Sequence, residues 1–551
     1  MSTKIQTTPG HALPPGPRHA ITTHIPSWQA ILRFRDRDPE LMKIFKDMYP
    51  RFIPHRDVKE LMQKVIAYAD SKGPCLLFPA AEAAEGCKSF ATSPARGDGK
   101  VQDDQITIRA FNIGDVNVYG VFVPPASIPT ISAFWTHAGV GISSRLAEHC
   151  LTHIDKLRDI GLDTRQPPTK DSSSHVLVKR RIAELLDRAP ADPHRVTKVS
   201  PDDVYLYQTG MSAIYWVHKY LLSKYSSSSV LFGFAFHSTI HVLGDFGPGV
   251  EFFGQGTDED LKKLEHFLAA QADEGKAVQA IWTEFPSNPL LVTPDLKGLR
   301  RLADQHGALL LVDDTIGSFC NVDVLAVADV VLTSLTKSFS GYADLMAASA
   351  VLSPLSARYP ELKQLFNTGY RNDFFAGDAE ALEKNSRNYL ERSAVMNNNA
   401  EKLVEYLQKE AENSASPVKR VYYPTVDNTL EKYRAFMRPK TPDFSPGYGC
   451  LFSVEFETQE ATIDFYDNLN VHQGPHLGAH LTLALPYTMG IYGKELEWAA
   501  RYNMRPEQIR ISVGLEDTQN LLEVFKVAVE AAKKCAEAAK STANGMIVDG
   551  K

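Results

Sequence analysis

Cysteine is scarce in this chain. The six present (Cys75, Cys87, Cys150, Cys320, Cys450 and Cys535) form no Cys-x-x-Cys pair and have no histidine at metal-ligand spacing. That excludes a disulfide framework and predicts reduced, packing thiols and no metal centre. Charge of one sign is also lacking: 59 Lys and Arg against 66 Asp and Glu leave −7, so no basic surface points to nucleic acid. No apolar run reaches the roughly 18 to 20 residues that span a bilayer. Met1 to Pro26 has neither the apolar core of a secretory signal nor the Arg-rich face of a transit peptide, which makes the cytoplasm the expected location. No internal repeat is legible.

What is present is a soluble globular composition, 44% apolar and 23% charged over 551 residues, long enough for three or four domains or for one large two-domain α/β enzyme. Pro14, Pro15, Pro17 and Pro26 forbid regular structure before a helical stretch from Trp28 to Met48, so residues 1–60 read as an arm followed by a helix. Ala91–Asp104 and Thr164–Ser174 are polar, Gly- and Pro-rich surface loops. From about Pro201, short β-rich runs alternate with amphipathic helices, the pattern of a parallel sheet wrapped by helices. Strands are predicted at Val204–Tyr207, Val230–Phe234, Ala280–Thr283, Ala308–Val312 and Val330–Thr333. Helices are predicted from Gly210, from the Thr257 cap, and from Pro294 to a stop at Gly307. The domain boundaries follow: an arm over 1–60, a large domain over 61–390 with insertions at about 90–200, and a smaller domain over 391–551.

All-apolar strands are buried on both faces, so polar residues just beyond their last apolar position lie at the carboxyl edge, where open α/β sheets bind ligands. They gather there four times: Thr209-Gly210, Glu284–Asn288, Asp313–Thr315 and Ser334–Lys337. Lys337, in a run of small hydroxyl residues, reads as a desolvated amine suited to Schiff-base chemistry or, taken alone, as a solvated loop lysine. Asp313 is either a buried carboxylate in need of a permanent cationic partner or a helix cap. Gly210-Met211 opens a helix, where free N–H groups and the dipole suit a phosphate, with Ser334 and Thr336 adding hydroxyls; the alternative is an ordinary glycine turn.

The words ALPPGPRHAITTHIPSW, YPRF, TEFPSNPLL, LLLVDDT, TSLTKSFSGYADLM, EKNSRNY, GPHLGAHLTLALPYT and IRISVGLED stand in one order along the chain. Together they resemble the Cys/Met-metabolism family of fold-type I pyridoxal-phosphate (PLP) enzymes, most closely its fungal cystathionine γ-synthases. The resemblance implies the PLP-dependent transferase fold of type I, with a mainly parallel seven-stranded sheet and a smaller C-terminal α/β domain. It implies that Lys337 is the cofactor lysine and proton shuttle and that Asp313 is the pyridinium partner. Gly210, Met211, Ser334 and Thr336 would hold the phosphate, joined by Tyr49 and Arg51 from a neighbouring subunit in a homodimer or homotetramer with shared active sites. Asn288 would meet the phenolic oxygen, and Arg510, His476 and Leu477 the amino-acid substrate.

The sequence departs from that family in three places. Phe236 stands where a tyrosine usually stacks on the pyridine ring, and it has no phenol, so His237 and His241 read either as packing residues or as the nearby candidates for a proton group. His476 replaces a small hydroxyl residue, and Ala347-Ala348 replaces a glycine-rich pair. The implied reaction is γ-substitution on an O-acyl-L-homoserine, such as O-acetyl-homoserine, through a vinylglycine-type intermediate. Cysteine is one nucleophile, a carbon acid such as acetoacetate another. Elimination to a keto acid and a non-catalytic PLP-binding subunit remain as alternatives.

Overall fold

The computed structural model describes residues 5–162 and 169–548. The helical stretch predicted over Trp28–Met48 is two helices, α1 (Trp28–Arg35) and α2 (Pro39–Ile44). Between them Arg37 takes a positive φ of 53°, and Asp38 caps α2 by accepting the N–H groups of Glu40 and Leu41. The arm wraps its own chain: Ile21 N–H donates to the Ala343 carbonyl at 2.9 Å, and Ile25 N–H to that of Gln473 at 2.8 Å.

Next comes a module that sequence patterning did not resolve: α3 (Arg56–Tyr68), β1 (Cys75–Phe78), α4 (Ala81–Thr92), β2 (Thr107–Ile113), β3 (Val116–Phe122), α5 (Ile128–Ala138), α6 (Ser144–Thr152) and β4 (Arg158–Asp159). Its sheet has the order β1-β3-β2-β4 and is antiparallel throughout. A tight turn at Gly114, φ 69°, closes the β2–β3 hairpin. The module begins at Arg56, at the start of the range expected for the large domain. Of the loop expected at Thr164–Ser174, residues 164–168 lie outside the described residues, and Ser173 already opens a helix, α7 (Ser173–Asp187), under a Ser172–His175 capping box.

The large domain continues with β5 (Val204–Tyr207), α8 (Gly210–Tyr225), β6 (Ser228–Phe232), α9 (His237–Asp245), β7 (Val250–Phe253), α10 (Asp258–Asp273), β8 (Val278–Glu284), α11 (Leu296–His306), β9 (Leu309–Asp313), β10 (Val330–Thr333), β11 (Ala348–Leu352), α12 (Tyr359–Gly369) and α13 (Ala376–Asn385). Its seven strands have the order β5-β11-β10-β9-β8-β6-β7, with only β11 opposed to the rest. Runs such as LLLV and VVLT are buried on both faces, as a helix-covered sheet requires. Gly307 ends α11 in the left-handed region at φ 67°. The long helix α14 (Tyr389–Glu412) leads into a second sheet, β12 (Val418–Tyr422), β13 (Leu451–Phe456), β14 (His472–Gln473), β15 (Leu483–Leu485) and β16 (Gln508–Ser512), ordered β12-β13-β16-β15-β14. A terminal helix, Thr518–Val548, packs behind it.

Three cores hold these layers. One joins the inserted module to one face of the large sheet, with Phe78, Phe90 and Phe134 among Tyr215, Leu221 and Phe366. Another fills the opposite face. The third unites the small domain with α1. No described helix is long and apolar enough to cross a membrane.

Candidate active site

The carboxyl ends of β5, β8, β9 and β10 open into one pocket of roughly 770 Å³, mouth included, a size that suits a small organic ligand. Tyr49, Arg51, Gly210, Met211, Phe236, Glu284, Asn288, Asp313, Ser334, Lys337, Leu477 and Arg510 all line it. Of the residues singled out from sequence, these eleven without Glu284 converge as the parallel-sheet argument requires.

At the β10 end, Lys337 sits in a turn in which its N–H donates to the Ser334 carbonyl and its own carbonyl accepts from Gly341. Its amine lies 4.9 Å from the centre of the Tyr49 ring. Burial draws the Lys337 pKa down against the opposing pull of Tyr49, and the nearby Arg51 and Arg510 guanidinium groups lower it further. For Tyr49 burial acts upward, yet Lys337 and Arg51 outweigh it and hold the phenol below its ordinary value.

Arg510, only 3% exposed, donates to Asn288 Oδ1 at 3.2 Å and to the Pro475 carbonyl at 2.8 Å. Its guanidinium stands 4.6 Å from the centre of the Tyr487 ring, and burial lowers its pKa to about 10. Neither Arg510, Arg51 nor Lys337 forms a salt bridge with an acidic side chain among the described residues. Buried cations left without counterions are costly unless a ligand supplies the negative charge.

On the opposite side the imbalance reverses. Glu284 and Asp313 are paired positions on the parallel strands β8 and β9. Glu284 accepts the N–H groups of Phe236 at 2.7 Å and Asn288 at 3.1 Å; Asp313 accepts that of Thr315 at 2.9 Å. Burial, then the Asp313 charge, pushes Glu284 up to about 8, and burial raises Asp313 as well. Among the described residues no basic side chain meets either carboxylate, so the pair is arranged to receive a cationic group from a ligand.

The third wall is the start of α8. Thr209 caps it by accepting Ser212 N–H at 2.9 Å, which leaves the first-turn N–H groups of Gly210 and Met211 without intrahelical acceptors. Gly210 lets α8 and the Ser334 turn approach closely, since a Cβ there would lie 3.1 Å from Ser334 Cβ and press it aside. A helix N-terminus, the Ser334 hydroxyl and Arg51 make an anion cradle. Phosphate at this cradle, a cationic ring nitrogen against Asp313 and an aldehyde toward Lys337 match the three walls, so the residues present fit PLP.

Four expectations change. Thr336 does not line the pocket: its hydroxyl donates to the Ala347 carbonyl and accepts Ala347 N–H, both at 3.0 Å. His476 stands behind the wall, 2% exposed, with both ring nitrogens unpartnered and its ring 6.1 Å from Tyr49. Burial keeps it neutral, reinforced by Lys337 and Arg510, and it meets Arg510 only through its carbonyl. His237 and His241 turn toward His137, with ring centroids 6.1 and 4.4 Å from it, and neither lines the pocket. Tyr49 and Arg51, expected from a neighbouring subunit, enter the pocket of their own chain. Sequence reasoning assigned no role to Glu284 or Tyr487, although Glu284 opens the word EFPSNP at the end of β8 and Tyr487 closes the LALPY run.

Comparison with known proteins places these features in context. The family model for the Cys/Met metabolism PLP-dependent enzymes matches residues 197–530, and that for the N-terminal domain of fungal trans-sulfuration enzymes matches residues 57–143. The cystathionine gamma-synthase-like enzyme iboG2 of Amanita muscaria is 32% identical, over 95% of this chain and 96% of its own. The alanine racemase ungC of Aspergillus violaceofuscus is 33% identical, over 94% and 96%. Among solved structures, the cystathionine gamma synthase of Xanthomonas oryzae in complex with aminoacrylate and cysteine shares the fold, with a TM-score of 0.53 at 23% identity, covering 66% of this chain and 87% of that one.

Proposed function

Because the chain belongs to the Cys/Met metabolism PLP-dependent enzymes, we propose that it catalyses γ-substitution on an O-acyl-L-homoserine, exchanging the acyloxy group for an incoming nucleophile. One observation supports an amino-acid substrate: Arg510, buried and without an acidic partner among the described residues, lies in the same pocket as Lys337. A guanidinium in that state takes an α-carboxylate in paired hydrogen bonds, with Asn288 fixing its orientation. When bound, PLP would supply an electron sink for the pair left by removal of the substrate's α-proton.

This chain's residues do the rest. Lys337, its amine kept basic but poorly solvated, takes the proton from the substrate α-carbon and returns it. Asp313 holds the proton on the ring nitrogen, and Glu284 keeps a second carboxyl beside it. Phe236 offers a flat apolar face for the ring. In the net reaction the Cγ–O bond breaks, the carboxylic acid leaves with the nucleophile's proton, and a Cγ–S or Cγ–C bond forms, without redox change.

The specialised reading, a carbon nucleophile such as acetoacetate, draws on Phe236, which brings no phenol to the ring. It is separated from the cysteine reaction by incubating the enzyme with O-acetyl-homoserine and either partner, then weighing the products. Cystathionine alone assigns the sulfur reaction, and a C–C adduct assigns the other. Racemisation of alanine without any adduct, the activity that the name of the Aspergillus relative carries, would overturn γ-substitution.

A further inference from the structure

The inserted module repeats part of the large domain, although no repeat is legible in the sequence. Each of the two units begins with a helix, α3 or α7, followed by a four-residue strand, β1 or β5. Two residues later each opens a helix, α4 or α8. Aligning the strands sets Ala83-Ala84 on Ser212-Ala213 and Gly86 on Tyr215. Both strands lie at the edge of their sheets and pair antiparallel with one neighbour, β3 or β11. That neighbour leads in each case to an 11-residue helix with proline at its second position: α5 with Pro129, α12 with Pro360. A last helix then returns to the first, α6 onto α3 and α13 onto α7.

The two units also meet as symmetric subunits meet, equivalent surface against equivalent surface. Gly86 of α4 abuts the Tyr215 hydroxyl of α8, the position equivalent to its own. Helix α6 packs on α13, its counterpart. Thr209, at the start of α8, donates to the carbonyl of Gly139 just after α5, at 3.0 Å. The mirror contact joins Glu82, at the start of α4, to Arg371 just after α12, at 3.2 Å. One continuous apolar core seals the joint. The module lacks counterparts of β6 to β9, and its β2, which flanks β3 as β10 flanks β11, runs into the tight turn at Gly114 with no lysine after it, so it has no site of its own.

What it has is Tyr49 and Arg51, immediately ahead of α3. The module itself aims them: Arg51 donates to the Thr136 carbonyl at 2.5 Å, the Thr136 hydroxyl to that of Arg51 at 3.1 Å, and Trp135 Nε1–H to that of Pro50 at 3.2 Å. We propose that residues 49–152 are a reduced second copy standing where a partner subunit would stand, so that each chain holds a complete site and never borrows Tyr49 or Arg51 from another. Turnover enters this inference only through the γ-substitution reading; the assignment of Arg51 to the cofactor's phosphate also has its own readout.

The test co-expresses Arg51→Ala and Lys337→Ala chains under different tags and compares the mixture with each alone, with Arg51→Lys as a gentler variant should alanine impair folding. Activity is read as product from O-acetyl-homoserine, and cofactor retention as PLP trapped on Lys337 by borohydride after dialysis. We expect no activity beyond the sum of the separate variants, and the weakened PLP retention of Arg51→Ala chains unchanged by the second chain. Shared sites would instead restore about a quarter of wild-type turnover on random pairing, one intact site in each mixed dimer. Such recovery, a rise in PLP retention on mixing, or full retention by Arg51→Ala alone would overturn the proposal. Should wild type form no product, γ-substitution fails by itself and the retention measurement still decides this inference.

Discussion

Glu284 and Asp313 stand side by side across two parallel strands, two half-buried carboxyl groups lining the pocket with no basic partner among the described residues. Glu284 is raised from 4.5 to about 8. A carboxyl raised on folding keeps its proton longer than in the unfolded chain, so its contribution to stability is complete below the unfolded value and is lost as pH rises through the folded one. Cofactor-free protein should therefore melt at falling temperature as pH goes from about 5 to about 9, and Glu284→Gln should flatten that slope. Identical slopes in the two proteins would show that Glu284 ionises normally.

Arg510→Lys should lower kcat/KM by roughly 10²-fold or more, mostly through KM, because one ammonium cannot reproduce a paired guanidinium–carboxylate contact. Steady-state kinetics with O-acetyl-homoserine check this. A KM within a factor of about two of wild type would place the carboxylate elsewhere.

Lys337→Ala should reduce turnover by roughly 10³-fold or more and abolish borohydride trapping of PLP on the chain. Normal turnover in that variant would contradict the mechanism outright.

Phe236→Ala should weaken PLP affinity by up to about tenfold, the worth of an aromatic stacking contact, while Phe236→Tyr keeps it. Absorbance titration of cofactor-free protein measures both. Equal affinity in all three proteins would remove Phe236 from the ring face.

Phe134→Ala should cost about 3–5 kcal/mol, since its ring is fully buried between Phe78, Phe90, Tyr215 and Phe246. A lowered melting temperature measured together with loss of PLP binding is the expected outcome, because the same core seats the module beside the pocket. Melting of a separate early transition with PLP binding intact would mean that the module folds apart from the site.

Much of the large domain was legible because its signals are local. Val204–Tyr207 and Val330–Thr333 match the strands expected from short runs of apolar residues, and Thr257, Gly210 and Gly307 mark helix ends through their own backbone chemistry. The β2–β3 hairpin was missed: its strands mix Thr, Arg and Asn with apolar residues, and one turn glycine does not announce a sheet. Thr336 and His476 were misplaced because neighbouring residues on a turn point in different directions. Within Ser334–Lys337, two side chains reach the pocket and Thr336 instead closes a backbone bridge to Ala347.

Sequence alone determined the alternation of buried strands and helices, and with it the sheet edge at which Gly210, Asp313, Ser334 and Lys337 collect, since burial periodicity and helix capping act over a few residues. Only the tertiary structure showed that Tyr49 and Arg51 line a pocket of their own chain, that Glu284 lies against Asp313, and that two stretches of the chain share one arrangement of helices and strands. Such relations depend on packing between segments far apart in the chain, where shape and apolar area are matched and residue identity is free to drift.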